Sequence, residues 1–470
     1  MLTRSATDTP TRRLRIGPRT LLALLVVGFL VRVAVLSQTS SLGTPVTDEQ
    51  HYSEIARNIV AGNGYASSPG APTSIRPPLY PALLATIWRP FGTTNLQAVR
   101  IVQIVLSAAT ALLVYWIGAT VWDEQVARIA AVLFWLYPSF IFYDFLILTE
   151  TLFTFLLIAF VFATLALIRT PRPLFAIACG LSLGLAALTR SVLWPLPLLL
   201  CPALVLLVPG GWRRRVALAF LVFVGYLVVV GPWAIRNTRL QHVVTVVDTM
   251  GGMNLRMGNY EYTPDDRMWD AVSLTGEKNW MHDYQPNYPG EPVTEGRKDK
   301  WAQRKAIDYM REHPGVTVRR SLIKFADFWG LEREYMAGVQ QGMYAPPFWF
   351  EVVAFAVLLT AFVAVALTGA AGVWLASPRD IRAHVVLLVP VVVLMGAHTL
   401  VFGHSRYHLP IIPILALYAA ALLAHGMPRG LTSRRLAFFG AAVSVAILSA
   451  VWVRQIVVTD FARIQSFLKI

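Results

Sequence analysis

The sequence predicts an all-α membrane protein with many transmembrane helices, and the two main reasons are its composition and its long apolar runs. Of the 470 residues, 56% are hydrophobic and only 14% are charged, whereas soluble globular domains are about 25% charged. About eleven apolar stretches approach the ~20 residues that a helix needs to cross the hydrocarbon core. Cys179 and Cys201 lie in apolar runs, so neither a disulfide framework nor a cysteine zinc site is predicted.

The predicted spans are separated by short polar connections and by two long polar segments. In chain order they cover residues 20–37, 97–120, 128–144, 147–168, 173–190, 191–209, 216–235, 348–375, 384–402, 407–425 and 436–454. The third run is short and contains Pro138, which lacks the main-chain N–H of other residues. This span is therefore expected to tilt, to break or to merge with the fourth.

The arginines indicate which ends of the spans face the cytoplasm, because basic residues in short connections resist translocation. They precede the first predicted span and follow the fourth, sixth, eighth and tenth, which all lie on the side of the amino terminus. The formal net charge of +15 is thus interpreted as a topology signal, and nucleic-acid binding is not predicted. The predicted location is the cytoplasmic (plasma) membrane, with the amino terminus in the cytoplasm.

This topology divides the chain into cytoplasmic, membrane and outer parts. They are a cytoplasmic basic arm (1–19), a transmembrane core (20–235) with its first outer loop (38–96), an extracytoplasmic loop domain (236–347), C-terminal transmembrane helices (348–454) and an extracytoplasmic tail (455–470). The loop domain has equal numbers of acidic and basic residues and is expected to fold as a small outer domain. Within it, residues 265–345 carry no motif that we can interpret.

The first outer loop begins with an amphipathic helix that has an acidic start. Thr47, Asp48, Glu49 and Gln50 open a segment whose apolar residues recur at three- and four-residue steps, as they do on one face of a helix. Thr47 and Gln50 fit a capping box, in which Asp48 would complement the helix dipole. The alternative is a general base at the outer membrane surface, and the residues alone favour the capping role.

The same loop continues with a proline-rich turn around one arginine, Ser74 to Pro81. Prolines at 77, 78 and 81 stiffen the turn and reduce the entropy lost when Arg76 is held in place. A fixed guanidinium group near headgroup depth suits a phosphate, to which it can donate two parallel hydrogen bonds. The alternative is an arginine that reaches towards lipid headgroups.

These motifs together resemble the first extracytoplasmic loop of the GT-C glycosyltransferases, which use polyprenyl-phosphate sugars. The run Asp48-Glu49 to Tyr52, then Gly62-Asn63-Gly64-Tyr65, then Arg76-Pro77-Pro78-Leu79-Tyr80-Pro81 carries the resemblance. That superfamily includes the protein O-mannosyltransferases and the lipid A aminoarabinose transferases, and the resemblance is to its bacterial branch. It implies a GT-C-like helical bundle, with Asp48 as the catalytic base and Arg76 at the donor phosphate. Glu49, beside Asp48, is a further catalytic candidate, and Tyr65 is a candidate substrate contact.

Two carboxylates, six residues apart, lie inside the otherwise apolar region Phe142 to Phe160. A carboxylate at membrane depth costs several kcal/mol unless it is paired or hydrated, so Asp144 and Glu150 indicate a cavity by default. Asp144 can instead lie at the interface. Glu150 resembles a second-loop acid of the superfamily that lies near donor or acceptor, and it is included among the catalytic candidates. Arg190 resembles another family position, which neutralises Glu150 or binds phosphate; its alternative role is an interfacial anchor.

Two later motifs add candidates. The run Gly231 to Asn237 is similar to the bacterial branch and predicts a sharp exit from the bilayer, with Asn254 or Asn259 beyond it as a sugar or phosphate contact. Arg406 resembles the Arg of the family's Arg-Tyr-x-x-Pro element and would be a second phosphate clamp, with Tyr407 and His404 as substrate contacts. His404 and His408 are four residues apart, but the sequence shows no third ligand, so no metal site is predicted.

The predicted function is a membrane glycosyltransferase, a hexosyl- or pentosyltransferase, that moves a sugar from a polyprenyl-phosphate donor to an extracytoplasmic lipid, glycan or protein, with inversion. No cofactor is required by the sequence, although a divalent metal held with Asp48 or Glu150 stays open. One alternative is a flippase for lipid-linked sugars, which should show repeat symmetry and broken helices near the midplane. Another is an oligosaccharide ligase with a pyrophosphate donor. The absence of a Walker motif or dinucleotide fingerprint in the sequence disfavours a nucleotide-sugar donor.

Overall fold

The computed structural model describes residues 14–91, 95–265, 268–284, 293–426 and 435–461, and they are mostly helical. The α-helices are α1 Pro18–Gln38, α2 Thr47–Val60, α3 Leu79–Phe91, α4 Leu96–Val121, α5 Glu124–Trp135, α6 Pro138–Tyr143, α7 Glu150–Arg169, α8 Pro173–Ala187, α9 Pro197–Leu207, α10 Trp212–Gln241, α11 Gly251–Met257, α12 Glu295–Glu312, α13 Pro314–Phe328, α14 Glu334–Gln340, α15 Phe348–Leu375, α16 Ile381–Leu400, α17 Ile412–His425 and α18 Arg435–Arg454. Shorter 3-10 helices cover Ser191–Leu193, Met268–Ser273, Gly276–Lys278 and Ser405–Ile411, and a π-helical turn covers Gln455–Thr459. Strands β1 Ala66–Ser68 and β2 Ala71–Pro72 form a small antiparallel hairpin.

Eight helical segments in the described part of the chain are long and apolar enough to cross a membrane. They are α1, α4, α7, α10, α15, α16, the segment Ser405–His425 that contains α17, and the segment Arg435–Thr459 that contains α18. Two apolar helices, α8 and α9, are shorter. The predicted fold class, an all-α protein that crosses the membrane several times, is confirmed, but the count of eleven spans is not.

Prolines explain why the count differs from the expected one. α5 ends before Pro138, and α6, which begins there, has only six residues, so the predicted span 128–144 is broken rather than continuous. Similarly, α8 and α9 have only 15 and 11 residues; Pro195 lies between them, and α9 begins at Pro197. A proline cannot donate the helical hydrogen bond and clashes with the preceding turn.

The two most buried spans lie at the centre of the bundle. The buried share of an apolar 18-residue stretch is 78% in α7 and 83% in Ser405–His425, whereas it is only 11% in α1. The first residue of α7 is Glu150, and Arg406 lies in the first turn of Ser405–His425. The fold thus carries two of the predicted site residues at the ends of its central helices.

A buried ion pair accounts for Asp144, whose side chain has no exposed surface. Its Oδ2 accepts a hydrogen bond of 2.8 Å from Nε of Arg32 in α1, and neither side chain is exposed. Ser107 donates to the other oxygen at 2.5 Å, and Arg32 also donates to the carbonyl of Trp135 at 2.9 Å. A charge inside a membrane span is costly unless it is paired, and this pair joins α1 to the segment after α6.

The run Gly231 to Asn237 has a structural role, but the sharp exit predicted at Pro232 is wrong. α10 continues through Pro232 to Gln241, so the helix leaves the apolar region without a break. Arg236 then donates to the carbonyls of Thr73 at 2.8 Å and Tyr65 at 3.0 Å. These bonds fasten the end of α10 to the first outer loop.

The proline-rich turn is also attached to α12 in the segment 236–347. Glu295, the first residue of α12, accepts hydrogen bonds from Oγ1 of Thr73 at 2.6 Å and from N of Ser74 at 2.7 Å. The hydroxyl of Ser74 donates to Oδ1 of Asn237 at 2.9 Å. The backbone just before Arg76 is therefore held by both α10 and α12.

Candidate active site

The start of α2 places Asp48 through its neighbour Glu49. The N-cap is Val46 rather than Thr47, and Glu49 accepts a hydrogen bond of 2.9 Å from the main-chain N of Val46. The other carboxylate oxygen of Glu49 accepts from N of Ile147 at 2.7 Å, and the residue is 1% exposed. Glu49, predicted as a catalytic acid, thus ties α2 to the segment before α7, and its geometry supports a positioning role.

Asp48 lies between two arginines that are distant in sequence. Its Oδ1 accepts a hydrogen bond of 2.7 Å from Nη2 of Arg76, and its Oδ2 lies 3.2 Å from Nη1 of Arg406. Nε of Arg406 donates to Oε1 of Glu150, which also accepts from Nη2 of Arg190 at 2.6 Å. The five side chains form one chain of alternating charge, which we call the ion network: Arg76, Asp48, Arg406, Glu150 and Arg190.

The ion network carries an excess of positive charge, since three guanidinium groups face two carboxylates. Burial alone would raise the pKa of Asp48, but the guanidinium groups of Arg406 and Arg76 outweigh it and hold that pKa below its ordinary value. Asp48 is therefore ionised at neutral pH. A buried cluster with one surplus guanidinium group is suited to binding an oxyanion.

Several side chains fix Arg76 in the ion network. The hydroxyl of Tyr65 donates to the main-chain carbonyl of Arg76 at 2.8 Å, and the guanidinium group lies 5.5 Å from the ring centre of Tyr52. Nδ1 of His51 lies 2.9 Å from Nη2 of Arg76 and accepts its hydrogen bond. Tyr65, predicted as a substrate contact, therefore supports the backbone of the turn. His51 was missed, although its position three residues after Asp48 on a helix puts both on one face.

One hydrogen-bond donor of Arg76 is not used by any described residue. Its Nε is buried and has no hydrogen-bond partner among the described residues. Buried polar groups are nearly always paired, so this donor is available to a group that the protein itself does not supply.

A cavity of about 320 Å³ adjoins the ion network. Its lining includes Asp48, His404, Arg406 and Tyr407 from the predicted site and Glu334 from α14. Small-molecule sites span about 300–1,000 Å³, so the volume suits a group the size of one sugar ring rather than a long glycan.

The remaining candidates divide between the cavity and the outer segment. His404 accepts from N of Arg406 at 3.2 Å through Nδ1, and its Nε2 lies 3.5 Å from Glu334. Tyr407 stacks on His398 with ring centres 4.1 Å apart. Asn254 belongs to α11, which packs against α12, and it is not among the described residues that line the cavity.

The structure separates the two histidines that suggested a metal. Nδ1 of His408 lies 2.6 Å from the carbonyl of Phe328, and its Nε2 lies 3.1 Å from Glu332, whereas His404 pairs with Glu334. Across residues 14–461, as far as the structure describes them, no group of three or more His, Cys, Asp or Glu side chains converges as metal ligands would.

Comparison with known proteins gives one family match and several similar structures. Residues 75–235 match the family described as dolichyl-phosphate-mannose-protein mannosyltransferase. A comparison with curated protein sequences gives no significant match. The apo oligosaccharyltransferase of Archaeoglobus fulgidus aligns over 93% of this chain with a TM-score of 0.50 and 13% sequence identity.

Two structures of ArnT from Cupriavidus metallidurans are more distant by TM-score. The apo form aligns over 85% of this chain and 77% of its own, with 18% identity and a TM-score of 0.40. The form bound to undecaprenyl phosphate aligns over 87% of this chain and 78% of its own, with 14% identity and a TM-score of 0.40.

The resemblance to the GT-C superfamily is confirmed for the fold and for the matched residues 75–235. The matched segment begins at the proline-rich turn and contains Arg76, Glu150 and Arg190. The chain spans 56% of the length of the Archaeoglobus enzyme.

Proposed function

We propose that the protein is a membrane glycosyltransferase that transfers one sugar from a polyprenyl monophosphate to a hydroxyl group of a lipid, glycan or protein outside the cytoplasmic membrane. The observation that carries this proposal is the ion network beside a cavity with room for about one sugar ring. The family match over residues 75–235 supports the class of donor. We place the site on the extracytoplasmic side and the amino terminus in the cytoplasm, in accordance with the arginines of the short connections.

The guanidinium groups bind the donor phosphate. Arg406 lines the cavity. Arg76 is not among the described residues that line it, but it bonds to Asp48, which does, and its buried Nε is unpaired. Arg190 bonds to Glu150 and adds a third positive charge to the ion network. A lipid-phosphate sugar carries one negative charge, and the departing lipid phosphate acquires a second as the sugar leaves. Interactions that strengthen as this charge develops are those that accelerate the reaction.

Asp48 accepts the proton of the acceptor hydroxyl. The acceptor oxygen forms a bond to the anomeric carbon, the bond from that carbon to the phosphate oxygen breaks, and its electron pair leaves with the lipid phosphate. Asp48 loses one negative charge while the phosphate gains one, so the total charge at the site stays constant. A single displacement of this kind inverts the anomeric centre. Glu150 is fully buried and bonded to two arginines, which supports a role in holding them rather than in attacking the sugar.

Donor binding also changes the basicity of Asp48. In the free protein, Arg76 and Arg406 bond to this carboxylate and weaken it as a base. A bound phosphate competes for the same two arginines. Asp48 is then less stabilised in its charged form, so it becomes a stronger base when the donor is in place.

This competition predicts a difference between two pH profiles. Activity requires ionised Asp48, and the free protein holds its pKa below the ordinary value, which is about 3.9. The acid limb of kcat/KM, which reports the free enzyme, should therefore lie below the ordinary pKa of an aspartate, and that of kcat should lie at higher pH. Replacing Arg76 by Met removes one stabilising charge and should move the kcat/KM limb upward. Arg319→Met, an exposed change in α13, is the control and should leave both acid limbs where they are in the wild type. If the acid limb of kcat/KM lay at the same pH in the wild type, Arg76→Met and Arg319→Met, the mechanism would be contradicted.

The function itself is tested in proteoliposomes that contain the purified protein and polyprenyl-phosphate [14C]mannose, a donor chosen from the matched family. Membranes from cells that lack the gene supply the acceptor. We expect protein-dependent release of polyprenyl phosphate and transfer of label to the acceptor. Movement of labelled lipid between leaflets with an intact sugar–phosphate bond would instead identify a carrier. If this donor is not consumed but a polyprenyl-pyrophosphate-linked sugar offered in its place is, the protein is a ligase.

A further inference from the structure

We propose that α14 and the four residues after it form a sugar-binding wall opposite the ion network, with Glu334, Tyr335, Gln341 and Tyr344 as its contacts. The proposal rests on the proposed function and deepens it. The ion network accounts for the phosphate and the proton, whereas it has no surface for a sugar ring. The sequence of residues 265–345 showed no motif for such a surface.

The wall and the ion network face the same cavity. Glu334, Gln341 and Tyr344 line the 320 Å³ cavity together with Asp48 and Arg406. A sugar whose phosphate is held by the arginines therefore has to lie within reach of α14. This arrangement puts the anomeric carbon near Asp48 and the ring towards the wall.

The wall has the chemistry of a carbohydrate site. The rings of Tyr335 and Tyr344 are stacked, with centres 6.2 Å apart and planes at 11°, and Phe142 packs edge-on against both. Aromatic rings with a polar end suit ligands that are apolar on one side and hydrated on the other, as a sugar ring is. The carboxylate of Glu334 and the amide of Gln341 add acceptors and a donor for sugar hydroxyls.

The local backbone is arranged to present these rings. After α14, the chain turns at Gly342, which has a φ of +72°, and N of Met343 bonds to the carbonyl of Gly338 at 2.8 Å. A Cβ atom on Gly338 would lie 2.3 Å from the ring of Tyr344. A side chain at this position would therefore displace the Tyr344 ring.

An unpaired hydroxyl group in the wall indicates that a ligand binds there. The Tyr335 hydroxyl is buried and has no hydrogen-bond partner among the described residues, although such groups are nearly always paired. Tyr335 lines a second cavity of about 20 Å³, which shares Phe142, Glu334 and Arg406 with the larger one. That volume admits one water molecule, so the hydroxyl can reach a sugar hydroxyl directly or through a single water.

Two lipids separate sugar recognition from phosphate recognition. The purified protein is titrated with polyprenyl-phosphate mannose and with sugar-free polyprenyl phosphate. Tyr335→Phe removes only the unpaired hydroxyl and should weaken binding of the mannosylated lipid roughly 3- to 10-fold. Glu334→Gln should weaken it by about 10-fold. Binding of the sugar-free lipid should not change in either variant, whereas Arg76→Lys should weaken both lipids. Tyr262→Phe, in the outer segment, is the matched control.

A third titration with methyl mannoside, added to protein loaded with polyprenyl phosphate, identifies which sugar the wall holds. Loss of the preference for mannosylated lipid assigns the wall to the donor sugar. Loss of methyl mannoside binding alone would contradict the assignment of the wall to the donor sugar and would place an acceptor sugar there instead. Wild-type affinities for both ligands in Tyr335→Phe and Glu334→Gln would overturn the sugar-binding wall. If those variants also cleave polyprenyl-phosphate mannose normally, the proposed function survives without the wall.

Discussion

Replacing Asp48 by Asn is expected to lower kcat for sugar transfer by about 10²- to 10⁴-fold, the usual contribution of a general base. Asn has the same shape but cannot accept the proton of the acceptor hydroxyl. Binding of polyprenyl phosphate should persist or tighten, because Arg76 loses its carboxylate partner and Arg406 keeps only Glu150. Single-turnover transfer from polyprenyl-phosphate [14C]mannose and a lipid titration measure the two effects separately.

Asp380→Asn is the control for this experiment. Asp380 is the N-cap at the start of the 20-residue helix α16, and its carboxylate bonds to Arg382, whereas Arg406 follows the other end of that helix. The replacement of Asp380 should leave transfer unchanged. Undiminished transfer in Asp48→Asn would show that another group takes the proton, whereas loss of both transfer and lipid binding would point to a collapsed site.

The sequence predicted the parts of the site that lie in short motifs. Asp48 and Arg76 belong to one outer loop, and their roles were inferred from the resemblance of that loop. Glu150 and Arg406 were also recognised, each by its own motif, but the bond between them joins residues that are 256 positions apart. Only the packing of α7 against the Ser405–Ile411 helix brings these two side chains together.

Other features depended on tertiary contacts that no local pattern encodes. Glu49 looked like a second catalytic acid because it adjoins Asp48, yet it bonds to the main chain of Ile147. Asp144 forms an ion pair with Arg32, which belongs to α1. An arginine and an aspartate in two apolar runs could have suggested this pair, because isolated charges are rare at membrane depth. The aromatic wall at α14 has no motif, since it combines Phe142 with Tyr335 and Tyr344.

Arg406 is the residue whose replacement we expect to affect both activity and stability. It is the only member of the ion network that bonds to both carboxylates, Asp48 through Nη1 and Glu150 through Nε. A lysine has one ammonium group and no fork, so it cannot hold both at once. Arg406→Lys should lower kcat/KM for the lipid donor by about 10²- to 10³-fold, as loss of a charge-stabilising donor does.

Arg406→Met separates the two roles more sharply. Glu150 is completely buried and would keep only Arg190 as a charged partner, so the loss of Arg406 should cost unfolding free energy, at most the roughly 3–5 kcal/mol of a fully broken buried ion pair. Adding Glu150→Gln removes the carboxylate that has lost one of its two partners, so the thermal midpoint of the double variant should partly recover. Arg320→Lys, a buried arginine that bonds to Asp265, should lose stability and keep its affinity for polyprenyl phosphate. If transfer returned with stability in the double variant, Arg406 would act only by holding the fold; continued loss of transfer in a stable protein would assign it to the phosphate.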